Sequence, residues 1–184
     1  MDAGSVKTTY TYSDYCLLPD DQRYEVIGGE LSVVPSPSVI HQKVSGNLLY
    51  LFKKHIAETK SGYVFTAPLD VVLSAENVLQ PDIIYISGEN SQIIGEANIS
   101  GPPDLVVEIL SPSTAQADYG KKKDLYARYR VKELWVVHPV LQTVEVFVNT
   151  KGNFGSPARY DRRTNSVLQS AVFPGQAVDL DEVF

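Results

Sequence analysis

The chain has 184 residues, of which 43% are hydrophobic and 21% charged, a length for one domain on a prior of roughly 150 residues each. This mix excludes a disordered, collagen-like or disulfide-scaffold protein, and the single cysteine, Cys16, supports neither an internal bridge nor a cysteine-rich zinc site. The net charge of −6 argues against a protein that coats nucleic acid by charge alone.

In chain order, Met1 to Thr9 carries no apolar signal core, and no run approaches the roughly 18 apolar residues of a membrane-spanning helix. A reducing, cytoplasmic setting is the expectation. Ser13 to Leu18 reads as a short capped helix ended near Pro19. Tyr24–Ile27 and Glu30–Val34 flank Gly28-Gly29, the signature of a tight hairpin that needs positive φ twice. Pairing across that turn puts Tyr24, Val26, Leu31 and Val33 on one face and Glu25 with Glu30 on the other. From Val39 to Glu58 the apolar period is helical through Val44, Leu48, Leu51, Phe52 and Ile56, with Gly62 as a stop.

Tyr63 to Leu73 reads as a strand bent at Pro68. Asp82–Ser87 and Asp104–Leu110 are two further strands, the second nearly all apolar, as a central strand covered on both faces would be. Ala117–Tyr129 is a second helix. Glu133–Val137 and Thr143–Val148 are strands split by His138-Pro139. A terminal β segment runs through Val167-Leu168 and Ala171–Phe173 and turns at Pro174-Gly175. No internal repeat, low-complexity tract or linker interrupts residues 1–184, so one domain of mixed α/β or α+β type with one central sheet is expected.

Charge is unevenly distributed. Gly62 to Thr114 holds seven Asp or Glu and no Lys or Arg, whereas Ala115 to Asn165 holds ten Lys or Arg against five acids. A solvated surface explains such unevenness, and so does a carboxylate site served by cations that hold an anionic substrate.

Two acids are singled out by their neighbours. Asp82 opens one strand, and Glu108 lies inside Leu105–Leu110, sharing a face with Val106 and Leu110. An ionised carboxylate in a strand that is apolar on both faces costs several kcal/mol unless it is paired or binds a cation. An arginine or backbone N–H groups would satisfy it. So would a hard divalent cation shared with Asp82, since two carboxylates plus water and a substrate phosphate suit Mg²⁺. On the second helix Asp118, Lys122, Leu125, Tyr126 and Tyr129 form one stripe, while Lys121, Asp124 and Arg128 turn elsewhere. Lys122 is therefore the inward lysine. It is either a snorkelling stem or an ammonium that holds the attacking water and stabilises transition-state charge.

The joined string Arg23–Leu31, His41-Gln42, Gln80-Pro81-Asp82, Pro103–Thr114, Asp118 with Lys122 and Tyr126, and Val131–Val137 resembles the Uma-type family of restriction endonucleases. That family lies in the PD-(D/E)XK nuclease superfamily, and the likeness covers roughly Thr11 to Phe147. The resemblance implies a restriction-endonuclease-like fold, with a central mixed β-sheet flanked by helices and an N-terminal β-hairpin. It implies hydrolysis of phosphodiester bonds in DNA with Mg²⁺, or Mn²⁺, as cofactor. Asp82, Glu108 and the carbonyl of Ile109 are the metal ligands so implied, and Asp82, Glu108 and Lys122 the catalytic residues. The superfamily lysine two residues after the acid is replaced here by Leu110, and the family pattern puts a lysine on the next helix, at Lys122. His138-Pro139 stands where the family usually has Asp-Pro.

The resemblance also raises His41 and Gln42 as residues lining the site, although a lone helical histidine is more often core or cap. Glu25 and Glu30 either line the mouth or, as a hairpin face of acids normally is, stay solvated, and Asp118 either orients Lys122 from one turn away or supports the first turn of its helix. Tyr126 and Trp135 are most simply core. A homodimer is implied by the family, and it would gather Lys53, Lys54, Arg128, Arg130, Arg162 and Arg163 across a duplex. The competing readings are a non-catalytic nuclease-fold module that binds protein or nucleic acid, and a hydrolase of smaller phosphoesters.

Overall fold

The structure is a computed structural model and describes residues 9–111, 117–173 and 177–184. Helix α1 (Tyr12–Tyr15) starts earlier and ends sooner than the expected Ser13–Leu18 segment. The reason is a reciprocal cap: the Thr11 N–H donates to Asp14 Oδ2 at 2.8 Å, and Thr11 Oγ1 accepts the Asp14 N–H at 3.4 Å. The hairpin β1 (Arg23–Ile27) and β2 (Glu30–Val34) has the expected register, with Val26 opposite Leu31 and Ile27 opposite Glu30. Gly28 at φ 59° and Gly29 at φ 79° make the turn.

Helix α2 (Val39–Thr59) is capped by Ser38, whose side chain accepts the His41 N–H. It stops at Lys60 in the left-handed conformation, not at Gly62. Gly62 opens β3 (Gly62–Thr66) instead, where a Cβ would lie 2.2 Å from the Ile86 carbonyl oxygen. The expected bent strand through Pro68 is two strands in different sheets, β3 and β4 (Val71–Ser74). Strand β5 (Asn77–Leu79) is a short addition.

Then come β6 (Ile83–Ser87), a 3₁₀ turn over Gly88–Ile93, β7 (Ile99–Ser100), β8 (Leu105–Ile109), α3 (Ala117–Arg128), β9 (Glu133–His138) and β10 (Thr143–Thr150). The chain finishes with β11 (Asn153–Phe154), β12 (Ala158–Asp161), β13 (Val167–Gln169), β14 (Ala177–Asp179) and α4 (Leu180–Val183).

The central seven-stranded sheet runs β11-β10-β9-β8-β6-β3, with β12 also on β10. It is mixed: β8 and β9 are parallel, while β6 pairs antiparallel with both β3 and β8. The expected single sheet is corrected: two smaller sheets accompany it, one of them the two-stranded β13-β14. The hairpin grows into a second sheet of five strands, β2-β1-β5-β4-β7.

Strand alternation in β8 sorts the core into two layers. Leu105, Val107 and Ile109 face α2, through Val44, Leu48, Leu51 and Phe52, and the C-terminal β13, β14 and α4. Val106 faces Leu125 and Tyr126 of α3 together with Val71, Leu79 and Ile99 of the second sheet. Glu108 shares the side of Val106, so it looks into the layer between the central sheet, α3 and the hairpin sheet.

Ala171–Phe173 is not a strand. Buried Glu133 accepts the Ala171 N–H at 2.7 Å, and Phe173 packs on Phe52 and Tyr85 with ring centroids 5.0 and 4.3 Å away. The Pro174-Gly175 turn lies outside the described residues. Among the described residues no helix is long and apolar enough to cross a membrane.

Candidate functional site

Asp82 sits just ahead of β6, and Glu108 is the fourth residue of β8, so the antiparallel pairing of these strands carries both acids to the same end. Asp82 Oδ2 accepts the Ile109 N–H at 2.7 Å and lies 3.2 Å from His41 Nε2. Glu108 Oε1 accepts the Tyr126 hydroxyl at 2.6 Å. Lys122, on the inward stripe of α3, places Nζ 2.8 Å from Glu25 Oε1 and 3.6 Å from Glu108 Oε1. Glu25 Oε1 also accepts the Gln80 N–H at 2.9 Å.

The four side chains are sheltered: Glu25, Glu108, Lys122 and Asp82 expose 5%, 12%, 15% and 17% of their side-chain surface. They line one cleft together with Arg23, His41, Gln80 and Ile109, closed on one side by the Val33–Pro37 segment. Three carboxylates therefore face one ammonium. Burial, countered by Lys122 and reinforced by the charges of Asp82 and Glu25, pushes the Glu108 carboxyl up to about 7. Burial opposes the Lys122 charge, yet Glu108, Glu25 and Asp82 together hold its pKa well above the ordinary lysine value. Burial and the Glu108 charge raise the Tyr126 hydroxyl, so it remains a donor.

The other residues singled out from sequence are dispersed. Glu30 is exposed and pairs with Lys121 at 2.7 Å, outside the cleft. Gln42 is on the exposed face of α2 and does not line the cleft. Asp118 falls in the first turn of α3, and its side chain lies outside the described residues. Ile109 uses its N–H to anchor Asp82. Glu25 is buried rather than solvated, because β5 and α3 enclose the face of the hairpin that carries it. Two participants were missed. Tyr126 is core, as its stripe requires, but its hydroxyl reaches Glu108. Gln80, beside Pro81, braces Glu25 through its backbone and Arg23 through its side chain.

The donor set fits a small hard cation. Among the described residues, Asp82 Oδ1 and Glu108 Oε2 take no protein hydrogen bond, and neither is sealed from solvent. No three His, Cys, Asp or Glu among the described residues are grouped to hold a metal. Two carboxylate oxygens completed by water and phosphate is the low protein ligand count that Mg²⁺ accepts.

A mixed central sheet wrapped by helices, with a hairpin-led second sheet over one face, is the restriction-endonuclease-like fold. A crystal structure described as "a putative nuclease belonging to DUF820" from Anabaena variabilis superimposes with a TM-score of 0.79 and 18% sequence identity. The match covers 95% of this chain and 97% of that one. This chain belongs to the Uma2 family, described as "Putative restriction endonuclease", which it matches over residues 10–181. No curated protein matches it.

Proposed function

We propose that the chain is a Mg²⁺-dependent, or Mn²⁺-dependent, endonuclease that hydrolyses phosphodiester bonds in DNA. The observation that carries this reading is the meeting of Asp82, Glu108 and Lys122 in one cleft, with Lys122 Nζ 3.6 Å from Glu108 Oε1. Asp82 and Glu108, with the Ile109 carbonyl, are the residues that would hold the cation. When bound, the cation supplies Lewis-acid polarisation of the phosphate and a lowered pKa for water.

The remaining chemistry belongs to the chain. Glu25 holds the Lys122 ammonium at the cleft floor, and the surrounding acids keep it protonated. Lys122 acts in this reading as a fixed positive charge that orients the attacking water and stabilises the charge growing on the phosphate. Tyr126 fixes the Glu108 carboxylate from one side and leaves the other oxygen for the cation. The Ile109 N–H and His41 do the same for Asp82. A homodimer in the cytoplasm, each copy facing one strand of a duplex, completes this reading.

The test is cleavage of single-stranded, duplex and branched DNA with Mg²⁺ or Mn²⁺, with EDTA as the control. Asp82→Ala and Glu108→Ala should each abolish metal-dependent cleavage. Full activity in either variant would remove the assigned site. A protein that binds DNA with no cleavage under any of these conditions is instead the non-catalytic module.

A further inference from the structure

We infer that Arg23 forms an anion subsite at the mouth of the cleft, holding a phosphate of a nucleic-acid strand next to the scissile one. The inference rests on the nuclease reading above and adds to it a second point of substrate contact.

Strand alternation in β1 places Arg23 on the face of Glu25, two residues away, and both line the cleft. Arg23 is half-buried, and among the described residues it has no carboxylate partner. Its orientation is set by one bond, Nε to Gln80 Oε1 at 2.8 Å. That bond is itself directed. Gln80 Nε2 donates to Asp70 Oδ1 at 2.9 Å and to the Tyr15 hydroxyl at 3.1 Å. Asp70 is already taken by the Tyr15 proton at 2.6 Å, and a carboxylate only accepts. The Gln80 amide must therefore point its nitrogen at Asp70 and its oxygen at Arg23. The guanidinium is braced through Nε, while among the described residues Nη1 and Nη2 donate to no protein acceptor.

A braced fork with its two outer nitrogens unused matches the oxygens of a phosphate. The location agrees. Arg23 belongs both to the cleft and to a neighbouring groove, which share the Val33–Pro37 wall. A strand leaving the Asp82–Glu108 end along that groove passes it. Lys122, the other cation of the cleft, is bound to Glu25. Among the described cleft residues, Arg23 is thus the permanent cation left unpaired to meet a second phosphate. The groove beyond carries Asp20 and Asp21, which repel further phosphates, so the contact extends by one linkage.

The experiment is binding of a fluorescein-labelled thymidine strand of about five nucleotides, with Ca²⁺ in place of Mg²⁺. Each phosphate in turn is replaced by a neutral methylphosphonate. For the wild-type chain, neutralising one linkage beside the scissile position should weaken binding about tenfold, the size of a charged hydrogen bond. Arg23→Gln should weaken the unmodified strand by a similar factor and lower the salt slope by about 1. It should also erase the penalty at that one linkage. In cleavage, KM should rise about tenfold with kcat changed by less than about threefold. Arg23→Lys should recover part of the affinity.

Equal affinities and salt slopes for wild type and Arg23→Gln would overturn the subsite. So would a penalty that persists at the same linkage in Arg23→Gln. Either result leaves the carboxylate site intact, whereas cleavage that survives Asp82→Ala removes the assigned site, and no cleavage by the wild type overturns the nuclease reading, whatever Arg23 does. If Arg23→Gln fails to fold on melting, the methylphosphonate scan on the wild type decides, and a flat scan overturns the proposal.

Discussion

Two acids near opposite ends of one strand have opposite fates. Asp104 stands just before β8 and is 1% exposed, while Glu108 is the fourth residue within it. Asp104 is engaged at both oxygens, Oδ1 by an ion pair alone. Oδ2 accepts the Ser87 N–H at 2.7 Å and the Asn90 amide at 3.2 Å, and Lys132 pairs with Oδ1. Burial opposes its charge, yet Lys132, Ser87 and Asn90 together hold its pKa below the ordinary aspartate value. Glu108 has one hydroxyl donor and a lysine 3.6 Å away that is bonded more closely to Glu25, and two other carboxylates share its cleft. Its carboxyl is driven up to about 7. The contrast separates an acid used to join strands from one kept short of partners. A carboxylate with all its donors supplied has nothing left to offer a ligand.

This contrast can be broken by mutation, with the largest effect at Lys122. Lys122→Met removes the one ammonium among three sheltered acids. Cleavage should fall by two orders of magnitude or more, and stability at pH 8 by about 3–5 kcal/mol. Denaturant melts at pH 8 and pH 5 check this: the loss should shrink at pH 5, where Glu108 is protonated. Unchanged turnover would remove Lys122 from the site.

The next effect is the pH dependence of the metal-free protein. The folded Glu108 value lies above its unfolded one, so its contribution to stability is full below about 4.5. It is lost as pH rises through about 7, by on the order of 3 kcal/mol at most. Glu108→Gln should flatten that decline in EDTA. Added Mg²⁺ should reverse it in the wild type, with release of a proton near pH 7 on binding. Identical melting profiles for the two proteins would contradict the raised carboxyl.

The smallest effect on chemistry belongs to the other acid. Asp104→Asn should cost about 1–3 kcal/mol of stability and leave cleavage within about twofold. Here the sign is opposite. The folded value is depressed, so its stability is present above about pH 4 and lost as pH falls through the lower folded value. Cleavage that falls as far as in Lys122→Met would erase the distinction between the two ends.

Much of the site was legible because its signals are local. Alternation along Leu105–Leu110 put Glu108 on the face of Val106, which packing turns toward α3, and the three-and-four spacing of α3 turned Lys122 inward. The Gly28-Gly29 turn gave the register that pairs Val26 with Leu31. Helix α2 followed from its apolar period, and its Ser38 cap came only with the structure. The strand errors fell where local pattern is ambiguous. Tyr63–Leu73 looks continuous, but Ala67-Pro68 lies between strands that join different sheets. Ala171–Phe173 has strand-like residues, yet Glu133 and the core hold it as a loop.

Periodicity along the backbone thus determined the hairpin, the two long helices, the central strand and the side of it on which Glu108 lies, since these depend on neighbours a few residues away. Only the tertiary structure decided that Glu25, 97 positions from Lys122, holds its ammonium, and that Gln80 braces Arg23 across 57 positions. It also decided that the hairpin belongs to a five-stranded sheet covering the cleft. Burial and charge pairing are properties of packed surfaces, and a solvated acid becomes a buried one only when a distant element closes over it.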